Sequence, residues 1–482
     1  MNPPPGDERP AGSPALPFRR IAVVLSGGGA LGAYEVGVLK VIERIRLVPS
    51  LVSGVSIGAI NAVAWLAAGR DVRPIEQVWL TARAESLGVQ WVSLTLRVIG
   101  ALTASLALLE VVLGLAGSRE LSGAYWLWRK GSAHIDLVST QLDLALWIVL
   151  ALAGGLTALY ARRVARDLDK RSQGVDPVRL RSRLQRVALG AAAVHLLVWV
   201  MGWPWPQRFS ASVVVLLMLA WLASTPGHVG RWLRSLALGL MPETSGRGLW
   251  SGRARRGILE RIVVQGDRSA LAGPGTGLVV SALAIDTGLI GHFVSWPDPD
   301  PAFAEKLTHE LGEVLPVPDA STMISAAVAS SAIPGLFQPE RVLGRDFVDA
   351  GGFSNQPLHV AIAHGADALL VVLLTPSSSP AMSSPPADVV SLGGRLLELA
   401  NWRDLQTELR HLPASWTEAG TPSRVCVVAP REPLPASLLS FDPGRAAALI
   451  ALGERDAWAA LVEAGWISRE TAAAGSGERP RA

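Results

Sequence analysis

The sequence predicts an α/β fold with a mostly parallel sheet, interrupted by an all-α insert. Three observations carry that expectation. Short apolar runs of strand length (Ile21–Leu25, Leu51–Val52, Gly277–Ile285, Ala368–Leu374) alternate with longer helical stretches, the pattern of a sheet covered on both faces. Glycine clusters follow the first two of these runs and open directly into helical sequence. Between the two halves, from about residue 91 to 240, the character changes to a succession of long apolar runs.

Residues 1–17 are proline-rich and polar without apolar periodicity, which predicts a disordered tail. They lack the basic start and apolar core of a signal peptide. The run Ile21–Leu25 then leads into Ser26-Gly27-Gly28-Gly29-Ala30-Leu31-Gly32, with helical sequence from Ala33 to Ile45. A glycine cluster that opens a helix presents bare backbone N–H groups, suited to an oxyanion or a phosphate. No Gly-Lys-Ser/Thr follows, so this is not a Walker A loop, and the dinucleotide spacing fits only loosely.

The next stretch, Ser53-Gly54-Val55-Ser56-Ile57-Gly58, sets a serine in a G-x-S-x-G frame between an apolar strand and a helical run, Ala59 to Ala68. A strand turning that sharply into a helix lifts the serine oxygen clear of the backbone, and flanking side chains would clash in so tight a turn. The helix N-terminus beneath it favours negative charge. The same letters also fit a plain Gly/Ser turn.

Four apolar runs follow: Val98–Gly117, Leu144–Tyr160, Val187–Gly202 and Ser210–Ala223. At 1.5 Å per residue they reach roughly 20–30 Å, against a hydrocarbon core of about 30 Å. Buried core helices or helices lying in the interface are the alternatives, but four such runs in succession are hard to bury in one soluble core. The loop between the second and third runs is crowded with arginine and lysine, from Arg162 to Arg186, whereas the flanking loops carry few. Trp126, Trp128, Trp203 and Trp205 stand near run ends. Four spans therefore fit, with both flanking halves and the 161–186 loop on the cytoplasmic side. Arg247, Arg253, Arg255 and Arg256 read as part of the same basic balance after the fourth run.

Beyond about residue 245 the α/β alternation resumes. Ser325–Ala332 reads as a small-residue helix ending at Pro334, and Phe347-Val348-Asp349-Ala350-Gly351-Gly352 places an acid at the end of an apolar strand on a glycine-rich bend, with Asn355-Gln356-Pro357 after it. Residues 375–387 read as a Ser/Pro linker, Arg424–Val428 as a last strand, Pro443–Ala464 as a last helix, and the end from Ala473 as disordered.

Four motifs in order, the triple glycine, the Ser56 elbow, the segment Ala329–Pro339 and the Asp349 bend, make the chain resemble the patatin-like phospholipase family over roughly residues 20–90 and 245–375. The resemblance implies a patatin-like three-layer hydrolase fold. It also implies a serine–aspartate dyad, with Ser56 as nucleophile, Asp349 as its base and the Gly27, Gly28 and Gly29 amides as the oxyanion hole. Two positions depart from the family pattern: Leu31 stands where Arg or Lys is common, and Ala350 where Gly is usual.

Most serine hydrolases use histidine as the base. Here only His359 and His364 follow the Asp349 bend, and both fall in helical sequence, which favours a carboxylate acting directly on serine. The expected architecture is a tail (1–17), a first hydrolase part (18–90), a membrane insert of about four helices (91–240), a second hydrolase part (241–472) and a tail (473–482). The expected activity is hydrolysis of phospholipid or lysophospholipid esters by an integral membrane enzyme facing the cytoplasm. An acyltransferase using the same acyl-enzyme, or a catalytically silent membrane scaffold, are the alternatives.

Composition sets the outer bounds. Half of the 482 residues are hydrophobic and the mean hydropathy is +0.34, high for a soluble chain. The net charge of +4 is small, and its clustering in the 161–186 loop suits anionic membrane phospholipids rather than nucleic acid, since neither aromatic interleaving nor a nucleic-acid motif accompanies it. A single cysteine, Cys426, excludes an internal disulfide and reads as a buried strand thiol. No cofactor or metal is implied, and protein partners stay unspecified.

Overall fold

The computed structural model describes residues 16–83 and 247–476, apart from 272–274, 296–300, 310–311, 379–388, 411, 414–415, 417–421 and 435–440, together with Pro14 and a few isolated helical positions between 104 and 160. The chain forms two compact units, one comprising residues 1–89 with 247–482 and the other residues 90–246. The four apolar runs read as membrane spans lie almost wholly outside the described residues. Among the described residues no helix is long and apolar enough to cross a membrane.

The first unit is organised on a nine-stranded sheet. It begins with β1 (Ile21–Leu25), followed by a 3-10 turn (Gly29–Gly32) and α1 (Ala33–Arg44). Then come β2 (Leu51–Val55), α2 (Ile57–Ala67) and α3 (Arg73–Thr81). After the second unit the chain continues through β3 (Gly248–Trp250), α4 (Arg253–Gln265), β4 (Gly277–Ala284), β5 (Ile290–Val294), α5 (Pro301–His309), β6 (Gly312–Pro316) and α6 (Ala320–Ser330). It closes with β7 (Gly335–Phe337), β8 (Glu340–Val342), β9 (Arg345–Asp349), α7 (Leu358–Ala363), β10 (Ala368–Val372), α8 (Val389–Arg410), β11 (Val425–Val428), α9 (Pro443–Glu463) and α10 (Arg469–Ser476).

The main path runs β11-β10-β1-β2-β4-β5-β6. The block β11 to β4 is parallel throughout. Antiparallel pairing enters where β5 and β9 meet β4 and where β8 meets β9. The expected mostly parallel sheet is therefore present, with an antiparallel margin that no run of apolar residues announced.

Because side chains alternate across a strand, successive residues feed two cores. Val23, Leu25, Val52, Leu370 and Val372 pack on one face with residues of α1, α2, α4, α6 and α9. Ala22, Val24, Leu51, Leu369 and Val371 pack on the other with residues of α5, α7 and α8. Strands buried on both faces explain why the sequence shows continuous apolar runs rather than alternation. The result is three layers.

α9 lies against α1 at glycines. A Cβ on Gly37 would stand 2.0 Å from the Ile450 carbonyl oxygen, and one on Gly453 would stand 2.0 Å from that of Tyr34. The Tyr34 hydroxyl donates to Asp456 Oδ2 at 3.0 Å across the same seam.

Several boundaries differ from the sequence reading. Leu16, assigned by composition to the tail, is buried in the core beside Phe18, whose ring meets Trp466 at 5.9 Å. α6 begins at Ala320, five residues before the expected start, because the Asp319 carboxylate accepts from the Thr322 N–H and caps it. The chain expected to lose order from Ala473 continues in α10 to Ser476.

Candidate active site

Ser56 occupies the junction of β2 and α2 with φ 55° and ψ −121°. A non-glycine residue in that region is strained by about 1–3 kcal/mol and persists only where its surroundings over-determine it. They do so here. A Cβ on Gly54 would fall 2.6 Å from the Gly58 carbonyl oxygen, and one on Gly58 would fall 2.4 Å from that of Leu25, so both glycines of the G-x-S-x-G frame are needed by close backbone approach. The Ser56 N–H donates to Ser330 Oγ at 2.8 Å, and that hydroxyl donates on to the Ser281 carbonyl at 2.7 Å. The elbow is thus pinned to α6 and β4.

Asp349, the last residue of β9, meets it. The Ser56 hydroxyl donates to Asp349 Oδ2 at 2.5 Å, and the Gly351 N–H donates to Oδ1 at 2.7 Å. Both residues are buried. Burial pushes the Asp349 carboxyl up to about 6, against the Ser56 and Gly351 hydrogen bonds and the Arg255 charge, which pull it down. A carboxylate of that basicity, in contact with a hydroxyl, can accept its proton. The structure thus brings Ser56 and Asp349 together.

The glycine loop is divided in its duties. The Gly27 N–H donates to Asn355 Oδ1 at 3.0 Å, and Asn355 Nδ2 donates back to the Gly27 carbonyl at 3.2 Å. Gly27 was expected among the oxyanion donors, but its N–H is already committed to Asn355. That leaves Gly28 and Gly29, whose N–H groups have no acceptor among the described residues. Gly29, at φ 55°, lines the same cleft as Ser56. Asn355 is held in turn by Asp404 of α8, whose Oδ2 accepts the Asn355 N–H at 2.8 Å.

The cleft that opens at Ser56 spans about 770 Å³, with the solvent at its open mouth included. Its walls are largely apolar, from Ile57, Ile60, Ile75, Trp79, Ile258, Leu259, Phe337 and Phe441 among others. A buried network shapes one wall: Trp79 Nε1 donates to Asn61 Oδ1 at 3.1 Å, and Asn61 Nδ2 donates to Glu35 Oε2 at 2.8 Å. Complete burial pushes the Glu35 carboxyl well above the ordinary carboxylate range, against the Asn61 hydrogen bond that pulls it down.

The histidines lie elsewhere. His359 Nδ1 is paired with Glu408 at 2.5 Å and its ring meets that of His292, while His364 contacts Arg20. Among the described residues no histidine lines the Ser56 cleft. Cys426 is buried, and burial pushes its thiol well up, out of reach of reactivity. Sequence reasoning missed Arg255 and Asp404, neither of which stands in a recognisable motif, and gave no role in the site to Ser330, although it lies in the Ala329–Pro339 segment, or to Asn355, which follows the Asp349 bend.

A serine on a strained strand–helix elbow, a buried carboxylate in contact with it, and a large apolar cleft beside both are the features of a lipid acyl hydrolase. The patatin-like phospholipase family model matches residues 23–362, from β1 through most of α7, and the chain belongs to that family. No curated protein sequence matches it. Among solved structures it is similar to the crystal structure of VipD from Legionella pneumophila, with 13% identity and a TM-score of 0.33 over 93% of this chain and 68% of that one, a likeness too distant to carry a functional argument.

Proposed function

We propose that this lipid acyl hydrolase cleaves phospholipid or lysophospholipid esters through a Ser56–Asp349 dyad. The observation that carries the reading is the 2.5 Å hydrogen bond from the Ser56 hydroxyl to a carboxylate raised to about 6. Ser56 Oγ attacks the ester carbonyl carbon as its proton passes to Asp349, and the carbonyl oxygen becomes an oxyanion facing the Gly28 and Gly29 amides. Collapse breaks the bond to the leaving alcohol, which takes the proton from Asp349 and departs, leaving the acyl group on Ser56. Water then attacks the acyl-enzyme and gives its proton to Asp349. The second collapse breaks the bond to Ser56, returns that proton to its oxygen and frees the fatty acid. The apolar cleft suits the acyl chain, since each CH₂ withdrawn from water contributes about 0.8 kcal/mol.

The substrate is proposed to be a membrane phospholipid, reached by an enzyme anchored through the four apolar runs between residues 98 and 223 with its hydrolase unit on the cytoplasmic side. The composition of those runs and the basic 161–186 loop support this. Labelling by a serine-reactive fluorophosphonate, with analysis of lipid products in the presence and absence of an acceptor alcohol, tests the reading. Label on Ser56 with release of free fatty acid supports it. Acyl transfer in place of release would make the enzyme an acyltransferase, and no label on the folded protein would make it a silent scaffold.

A further inference from the structure

Arg255 sits in the first turn of α4 and turns its side chain inward, where it is 7% exposed. Its guanidinium lies 3.7 Å from the centroid of the Phe337 ring, and Nη1 donates to the Ser331 carbonyl at 2.5 Å. Nε and Nη2 are buried and have no acceptor among the described residues. Arg255, Ser331 and Phe337 all line the cleft that Ser56 opens into.

A buried cation ordinarily has a carboxylate in contact. Arg255 has none. The two acids whose field it feels are otherwise engaged: Glu340 is paired with Arg256, and Asp349 accepts from Ser56 and Gly351. Burial consequently draws the Arg255 guanidinium down to about 10, yet it stays charged at neutral pH. The helix adds to the imbalance, because the first turn of α4 carries Arg253, Arg255 and Arg256 and no acid. Helix N-termini favour anions, not cations. Two aligned, unmet donors on one guanidinium match two oxygens of one oxyanion.

We infer that Arg255 is the residue that recognises an anion on the substrate: the phosphate on the alcohol side of the scissile ester, bound through Nε and Nη2 within the Ser56 cleft. The inference rests on the phospholipid hydrolase reading and adds to it the residue that selects esters carrying phosphate over neutral glycerides. The carboxylate of a released fatty acid offers the same oxygen pair, so the test separates the two sources.

The first measurement is calorimetric binding to the full-length protein below the ligands' aggregation threshold, which does not require turnover. Dodecyl phosphate should bind about 100-fold more tightly than dodecanol, as expected of two charge-assisted hydrogen bonds to an otherwise unpaired guanidinium. Dodecanoate should gain much less. Equal binding of phosphate and alcohol overturns the proposal, and dodecanoate binding as tightly as the phosphate reassigns the site to the product.

The second measurement is the ratio of kcat/KM for 1-acylglycerol 3-phosphate to that for the matching 1-acylglycerol. Arg255→Met should lower that ratio about 100-fold, and Arg255→Lys should restore part of it. Any effect transmitted through Asp349 reaches both esters and cancels in the ratio. A parallel fall for both would show that Arg255 serves only the fold or the base, and would overturn the proposal. Should Arg255→Met fail to fold, the wild-type binding comparison decides alone. Should the wild-type protein cleave neither ester, the hydrolase reading fails while the binding comparison still judges Arg255.

Discussion

Asn355 grips Gly27 at both ends of its peptide unit, accepting from the N–H and donating to the carbonyl, although 328 residues separate them. The glycine loop is therefore set by a side chain that follows the Asp349 bend, so the proposed oxyanion donors and the proposed base are positioned by one segment. Asn355→Asp keeps an acceptor but loses the donor to the Gly27 carbonyl. It should lower kcat about 100-fold, the scale of an ångström-sized misplacement, with KM for a short ester little changed. Full kcat in this variant would show that the loop holds its shape unaided.

Ser56→Ala and Asp349→Asn should each cost at least about 10³-fold in kcat, and the double variant no more than the worse single one, because the pair works as a unit. Losses that multiply in the double variant would mean the two residues act separately. His359→Ala and His364→Ala should keep most of the activity, since those rings are engaged with Glu408 and Arg20.

Asp349 should also leave a pH signature. It must be ionised to take the proton, so kcat/KM should rise along a single-proton limb centred near pH 6. Stability runs the other way. The folded state raises the carboxyl from 3.8 to about 6, so the stability it contributes is full below pH 3.8 and is lost as pH rises through about 6. Asp349→Asn should therefore gain on the wild type between pH 4 and pH 7, by at most about 3 kcal/mol. Denaturant melts at the two pH values measure this, and a constant gap would refute it.

Gly58→Ala should be among the most damaging single-methyl changes, since its Cβ meets the backbone of Leu25 and Ser26 rather than a movable side chain. A loss of about 1–3 kcal/mol is expected from overpacking, with fluorophosphonate labelling reduced in the molecules that remain folded. Gly69→Ala is the contrast. No described residue lies within 4 Å of a Cβ there, so only the positive φ is penalised and labelling should be unaffected.

The proposed membrane topology is testable by thiol labelling. With Cys426 replaced by Ser, a cysteine in the 161–186 loop should be shielded from an impermeant reagent in intact cells, and one in residues 119–140 should react. Equal reaction of both would favour helices lying in the interface.

The proposed pair was legible in the sequence because a serine elbow and an acid on a tight bend both demand glycines at fixed offsets. Gly54 and Gly58 frame Ser56, and Gly351 donates to Asp349, so local spacing announces the site. The parallel strands were legible because burial on both faces makes them continuously apolar. Arg255 was not legible: within Arg253–Arg256 it looks like any surface cation, and its burial is decided by Ser331 and Phe337, far along the chain. Asp404 is hidden likewise, an acid on α8 whose duty appears only when Asn355 arrives beside it. The antiparallel turn of the sheet at β4 was equally silent, because an apolar strand carries no mark of direction.

The register of β2 has a consequence for how the protein is made. One neighbour, β1, leaves the ribosome before it, but the other, β4, pairs with it from Leu51–Gly277 to Val55–Ser281 and is translated only after the whole of residues 90–246. The helix seam at Gly37 and Gly453 waits longer still. The strand leading into the serine elbow thus keeps an open edge until β4 is made, and α1 a bare face until α9 is made, the exposures that invite aggregation. Translation speed through residues 90–246 is accordingly a determinant of yield, and synonymous codon changes there should alter the amount of folded enzyme without altering a single residue of it.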